Sequence, residues 1–224
     1  MIKHLLFDID DTLFPSTEFA ELARKNALRA MVEVGINIEL HELERTLEKV
    51  IKEKNSNYPK HFDEVCRIHK IKKPARYIAA AVAAYHNTKM SILPYPEIPR
   101  MLLTLRENGY KLYTATNGNA IKQWDKLIRL GIALYFEDVF VSDEVGEEKS
   151  VIFFKDVLKK LKAIPEECVM IGDREDSDII PAKKIGMYAI RVRRGKYAKG
   201  KTCADANVRD FSNILEIIKS LENK

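Results

Sequence analysis

The 224-residue sequence holds only three cysteines, Cys66, Cys168 and Cys203, and none forms a CxxC pair. An odd, widely spaced set supports neither a disulfide framework nor a cysteine-based zinc site, and it fits reduced thiols. Nine glycines and eight prolines exclude collagen-like or Pro/Gly-rich low-complexity sequence. Long apolar runs are missing as well. The longest, Tyr77 to Tyr85, is nine residues, far short of the roughly 20 that a membrane-crossing helix needs. Met1-Ile2-Lys3-His4 leads straight into strand-like sequence, without the apolar segment and small-residue cleavage site of a secretion signal. A cytoplasmic location and no membrane partner are expected. Neither sign of charge dominates: 38 Lys+Arg stand against 33 Asp+Glu, a net +5. The two signs are interleaved, as in Glu42 to Lys54, which reads as a salt-bridged surface and not as a nucleic-acid footprint.

What is present is a globular composition, 46% hydrophobic, in a chain long enough for one large domain or one domain carrying a smaller second one. Short apolar runs without helical spacing recur at His4–Ile9, Lys111–Thr116, Val139–Ser142, Cys168–Asp173 and Tyr188–Val192. Helical patterns separate most of them, for example Ile98, Met101, Leu102 and Leu105, or Phe154, Val157, Leu158 and Leu161. This alternation predicts an α/β fold, a Rossmann-like doubly wound parallel sheet. Residues 14–93 break the pattern: they carry four helical segments, Thr17–Val34, Glu39–Asn55, Pro59–Lys70 and Pro74–Met90, and no strand. We expect a core built from residues 1–13 and 94–224, with 14–93 inserted as an all-helical cap over the carboxyl edge of the sheet.

The residues that could carry chemistry fall at the ends of these strands: Asp8 and Asp10, then Thr116-Asn117-Gly118, then Lys149, then Asp173 and Asp178. Each alone has an ordinary explanation, such as a turn-forming Asp, an Asn-Gly turn, a surface lysine or a helix cap. Together, in this order and at these strand ends, they form a constellation. Asp8 and Asp10, two residues apart, can point the same way, and the Thr116–Gly118 turn can face an anion with its backbone N–H groups.

DxDxT, Thr-Asn-Gly, Lys and GDxxxxD, with a helical insertion after the first motif, resemble the haloacid dehalogenase-like hydrolase superfamily across the whole chain. The resemblance implies Asp8 as nucleophile, Asp10 as general acid/base, Thr116, Asn117 and Lys149 at the substrate phosphate, and a metal at Asp8, Asp10 and Asp173, with Asp178 as a further metal-site or supporting carboxylate. FDIDDTLF, NYPKHFDE and RVRRGKY are similar to a small archaeal subgroup of glyceraldehyde 3-phosphate phosphatases. Two positions depart from the common pattern: Asp11 stands where Gly is frequent, and Ser150 follows Lys149 where Pro is common, so the loop aiming the lysine is expected to differ.

Gathering four carboxylates near a phosphate dianion requires a divalent cation, and an all-oxygen set suits Mg²⁺. The expected activity is Mg²⁺-dependent hydrolysis of a small phosphorylated metabolite through an aspartyl phosphate. The alternatives are a phosphomutase with the same core residues and a non-catalytic phosphate-sensing module. Monomer and homodimer are equally compatible with the sequence. Substrate choice would lie in the cap, which is mildly basic, with 14 Lys/Arg against 10 Asp/Glu over Phe14–Leu93. Tyr58, His61, Arg67 and His86 are its candidate readers, although such residues are more often packed or solvated. Closure of the cap, hinged near Phe14-Pro15 and Leu93-Pro94, would exclude water. The Arg191–Gly195 run reads as a solvated strand end, with contact to the substrate or cap as the alternative.

Overall fold

A computed structural model describes residues 1–55 and 58–222. Asn57, the first residue of NYPKHFDE, lies outside them. The chain divides into two units, Met1–Thr17 with Ile92–Lys224, and Glu18–Ser91.

The first unit holds a six-stranded sheet in the order β3-β2-β1-β4-β5-β6, parallel throughout. The strands are β1 His4–Phe7, β2 Lys111–Thr116, β3 Asp138–Val141, β4 Cys168–Gly172, β5 Tyr188–Val192 and β6 Ala206–Val208. Ser142, expected to end β3, instead opens a short helix, and β6, with three residues, is too short to show a pattern in sequence.

In register, Phe7 of β1 lies between Thr114 of β2 and Ile171 of β4. A strand paired on both sides and covered on both faces reads as a nearly continuous apolar run, and His4–Phe7 is buried throughout. Leu6 packs on one face with Tyr113, Ala115, Phe140 and Met170 against Phe153, Phe154, Val157 and Leu158. Phe7 points to the opposite face, edge-on to Phe136 and Phe211. Strand order reverses around β1: the chain passes to β2 and β3 on one side and returns to β4 on the other. Their diverging exits open the crevice in which ligands of open α/β sheets bind.

The helices are α1 Ser16–Glu33, α2 Leu40–Lys54, α3 His61–Ile68, α4 Ala75–Lys89, α5 Ile98–Glu107, α6 Ala120–Arg129, α7 Ser142–Val145, α8 Val151–Leu161, α9 Ile180–Lys184 and α10 Ile214–Leu221. The second unit is helical and has its own core, in which Leu28 and Met31 of α1, Leu43 and Leu47 of α2, Phe62 and Val65 of α3, and Ala81 of α4 meet. α1 opens at Ser16, and its first amides need acceptors from outside the helix. The cap comes from Asp11, whose carboxylate accepts from the Thr17 amide at 2.8 Å and from the Ser16 and Thr17 hydroxyls. Asp11 stands in the left-handed region, φ 55°, which explains why Gly is at home there. The aspartate accepts that strain and gains the cap. Among the described residues no helix is long and apolar enough to cross a membrane.

Candidate active site

Asp8 follows β1 directly and is still tied to β4, its amide donating to the Ile171 carbonyl at 2.8 Å. Its side chain is buried, and Lys149 Nζ lies 2.5 Å from Asp8 Oδ1 and 2.5 Å from Asp178 Oδ1. The second Asp178 oxygen accepts from the Arg174 amide at 2.9 Å. Asp178 comes this close to the end of β4 because residue 172 is Gly: a Cβ there would stand 2.3 Å from Asp178 Oδ2. Asp8, Asp173 and Asp178, all buried, each present a carboxylate oxygen within 4.8 Å of the others.

Burial penalises ionised carboxylates that have left water. It pushes Asp8 up to about 7, opposed by Lys149 and reinforced by Asp178 and Asp10. Burial, then the Asp8 and Asp178 charges, push Asp173 up to about 9. The Lys149 ammonium is disfavoured by burial too, but the Asp178 and Asp8 carboxylates outweigh this and hold it well above the usual lysine range. One permanent positive charge therefore faces three carboxylates, an imbalance that an oxygen-liganded divalent cation would correct.

Asp10 is not part of that group. Two residues past Asp8 the chain has turned off the sheet, and the Asp10 carboxylate is 40% exposed and bound through both oxygens to Lys126 Nζ, at 2.8 and 2.6 Å. Thr116 ends β2 with its side chain buried, its hydroxyl 3.4 Å from the Asn117 carbonyl. Asn117, expected at the phosphate, spends its Oδ1 on the Lys149 amide at 2.7 Å, so it fixes the lysine's backbone. The anticipated anion-facing turn is partly filled from within, because the Gly118 amide donates to Ser142 Oγ at 2.9 Å. Ser150 caps α8, its Oγ accepting from the Phe153 amide at 3.3 Å. A serine thus defines the start of the helix behind Lys149 by capping, in extended backbone at φ −146° that a proline ring does not adopt.

Several partners escaped the sequence. Gln123 of α6 donates to the Asn117 carbonyl at 2.6 Å, and Lys126, three residues on, holds Asp10. Their signal is an i, i+3 polar pair on the helix face that also carries buried Leu127 and Leu130. Arg191 corrects the expectation of a solvated strand end. It is 3% exposed and binds Glu175 Oε2 at 2.8 Å and the carbonyls of Lys201, Tyr197 and Lys199 at 2.7, 2.9 and 3.2 Å. Five donors in one rigid fork suit a residue that must gather a loop. Arg194 is likewise engaged, 3.9 Å over the Tyr95 ring and paired with Glu97, and Gly195 leaves room for Asp11.

Of the candidate substrate readers, His61 is buried with Nε2 2.9 Å from the Asn55 carbonyl, and Tyr58 packs edge-on against it. Arg67 is exposed and paired with Glu64, and His86 is exposed. Burial pushes the Cys66 and Cys168 thiols up to about 11 and about 12, so neither is a nucleophile near neutrality.

A family model described as haloacid dehalogenase-like hydrolase matches residues 2–186. The chain is 46% identical to the glyceraldehyde 3-phosphate phosphatase of Methanopyrus kandleri, with 99% of each chain covered. It is 42% identical to the glyceraldehyde 3-phosphate phosphatase of Methanocaldococcus jannaschii, again with 99% of each covered. Among solved structures, a phosphatase of this family from Thermococcus onnurineus superposes with TM-score 0.65 at 26% identity, covering 97% of this chain and 98% of that one. With buried aspartates and a lysine gathered at the strand ends where the family's motifs fall, and with the family model spanning most of its length, the chain belongs to the haloacid dehalogenase-like hydrolases.

Proposed function

We propose that this enzyme is a Mg²⁺-dependent phosphatase acting on a small phosphomonoester, glyceraldehyde 3-phosphate foremost, through an aspartyl phosphate on Asp8. The observation that carries the proposal is the buried Asp8–Lys149–Asp178 arrangement with Asp173 beside it. The donors are all carboxylate oxygens in negative excess, which fits Mg²⁺ held by Asp8, Asp173 and Asp178. When bound, the cation would keep these carboxylates ionised and offset the repulsion between nucleophile and phosphate dianion.

Asp8 attacks phosphorus, forming the Asp8 O–P bond as the bond to the substrate oxygen breaks. Lys149, with Thr116, draws charge from the phosphoryl oxygens. Asp10 gives its proton to the departing alkoxide and then takes one from the water that hydrolyses the acyl phosphate, releasing inorganic phosphate and restoring Asp8. Relatives bearing the phosphatase name over their full length favour hydrolysis over the mutase alternative. Free thiols at all three cysteines fit a reducing compartment, and we assign the enzyme to the cytoplasm.

Hydrolysis of p-nitrophenyl phosphate and of a panel of triose and sugar phosphates, with Mg²⁺ or EDTA, tests the proposal. Release should require the metal, be highest for a triose phosphate, and fall by at least ~10³-fold in Asp8→Asn. Metal-independent release, or activity retained in Asp8→Asn, would overturn it.

A further inference from the structure

We propose that Lys126 is a positioning residue for Asp10, holding the acid/base carboxylate in its working orientation. The proposal rests on the role given to Asp10 above.

Asp10 has its backbone bridged to Phe14, but that pairing leaves its carboxylate unheld. It lies outside the buried carboxylate group, is 40% exposed, and stands on chain that has already left β1. A carboxylate so placed would rotate freely, whereas proton transfer in the transition state needs the donor or acceptor oxygen held within hydrogen-bond reach of the reacting oxygen. Lys126 supplies the restraint: its ammonium meets both Asp10 oxygens, at 2.8 and 2.6 Å, which fixes the carboxylate plane as well as its direction.

The placement of that lysine is itself informative. α6 is amphipathic in an unusual sense, with Ile121, Trp124 and Ile128 exposed on one side while Gln123 and Lys126 occupy the inward side with Leu127 and Leu130. A lysine on a free helix face would be solvated. Here its side chain is only 27% exposed and its Nζ stands 5.8 Å from the centre of the buried Phe14 ring. A half-exposed ion pair contributes little to folding stability, so what this pair secures is geometry. Because Gln123 on the same face grips the Asn117 carbonyl, one rigid helix sets both the phosphate turn and the acid/base, and their spacing is fixed by the helix itself.

The test exploits leaving groups. Departing p-nitrophenolate needs no proton, so with p-nitrophenyl phosphate only breakdown of the aspartyl phosphate calls on Asp10. The alkoxide of glyceraldehyde 3-phosphate needs a proton in the first step as well. For Lys126→Met we expect kcat on p-nitrophenyl phosphate to fall about tenfold or more with kcat/KM nearly unchanged, and kcat/KM on glyceraldehyde 3-phosphate to fall about tenfold or more. Lys126→Arg, which keeps a cation able to meet both oxygens, should recover much of the loss. Asp10→Asn should show the same split, more deeply, and adding Lys126→Met to it should cost nothing further. If Asp10→Asn shows the split while Lys126→Met matches wild type, or lowers kcat/KM equally on both substrates, the positioning role is wrong and that of Asp10 stands. If Asp10→Asn shows no split, both are wrong. Lys126→Gln, with near-ultraviolet circular dichroism of each variant, guards against a folding defect in the Met substitution.

Discussion

Lys149 settles the electrostatics of the site by standing between Asp8 and Asp178, and it leaves Asp173 as the carboxylate with least compensation. That has a sign. With its folded pKa raised to about 9 and its unfolded value near that of a free aspartate, the folded protein binds more protons than the unfolded one between those limits. Stability therefore falls as pH rises through that window. Thermal melting of the EDTA-treated enzyme should show Tm dropping from pH 5 to pH 9, and less so in Asp173→Asn. At pH 8 that variant should melt a few degrees higher than wild type, and Mg²⁺ should raise Tm only where Asp173 is present. Equal pH profiles for the two proteins would refute the account. The convergence of Asp8, Lys149, Asp173 and Asp178 was legible from their positions at strand ends, because strand ends of a parallel sheet share one edge. The partners that hold the neighbouring Asn117 and Asp10 were not. Gln123 and Lys126 lie on a helix, where a polar residue facing inward looks like any surface residue until its target is known.

At the scale of elements, the start of α8 matters because Lys149 is the residue before its cap. Ser150→Ala removes the acceptor for the Phe153 amide, a loss of about 1 kcal/mol. Near-normal expression, a Tm lower by roughly 2–4 °C for a chain of this size and a raised KM are expected, since the lysine's backbone would retain only its Asn117 tether. A KM equal to wild type in a variant with lowered Tm would show that the cap serves folding alone. Strands and long helices could be read from period and punctuation, as apolar runs ended by Asp or Gly and 3.6-residue spacing ended by Gly109. β6 could not, because Ala206–Val208 is short and its pairing with β5 is a tertiary decision. Arg191 misled for the same reason: a charged residue in a strand looks solvated unless its partners, here carbonyls from Tyr197 to Lys201, can be foreseen.

For the whole molecule, each unit has a separate core, and the two should fail separately. Leu47→Ala removes a side chain that is 3% exposed within the helical unit, costing about 2–5 kcal/mol. Hydrogen exchange should report lost protection over Glu18–Ser91 with the amides of β1, β2 and β4 unchanged. Loss spread evenly over both units would mean one cooperative core. The sheet order carries a further consequence, for synthesis. β1 is made well before either neighbour, Lys111–Thr116 or Cys168–Gly172, so during synthesis the central strand waits for its first partner and longer still for its second. The helical segment between, whose contacts are local, can form long before then. Asp8 is thus made well before the residues that surround it, and a nascent chain released between Thr116 and Gly172 would leave one edge of β1 unpaired.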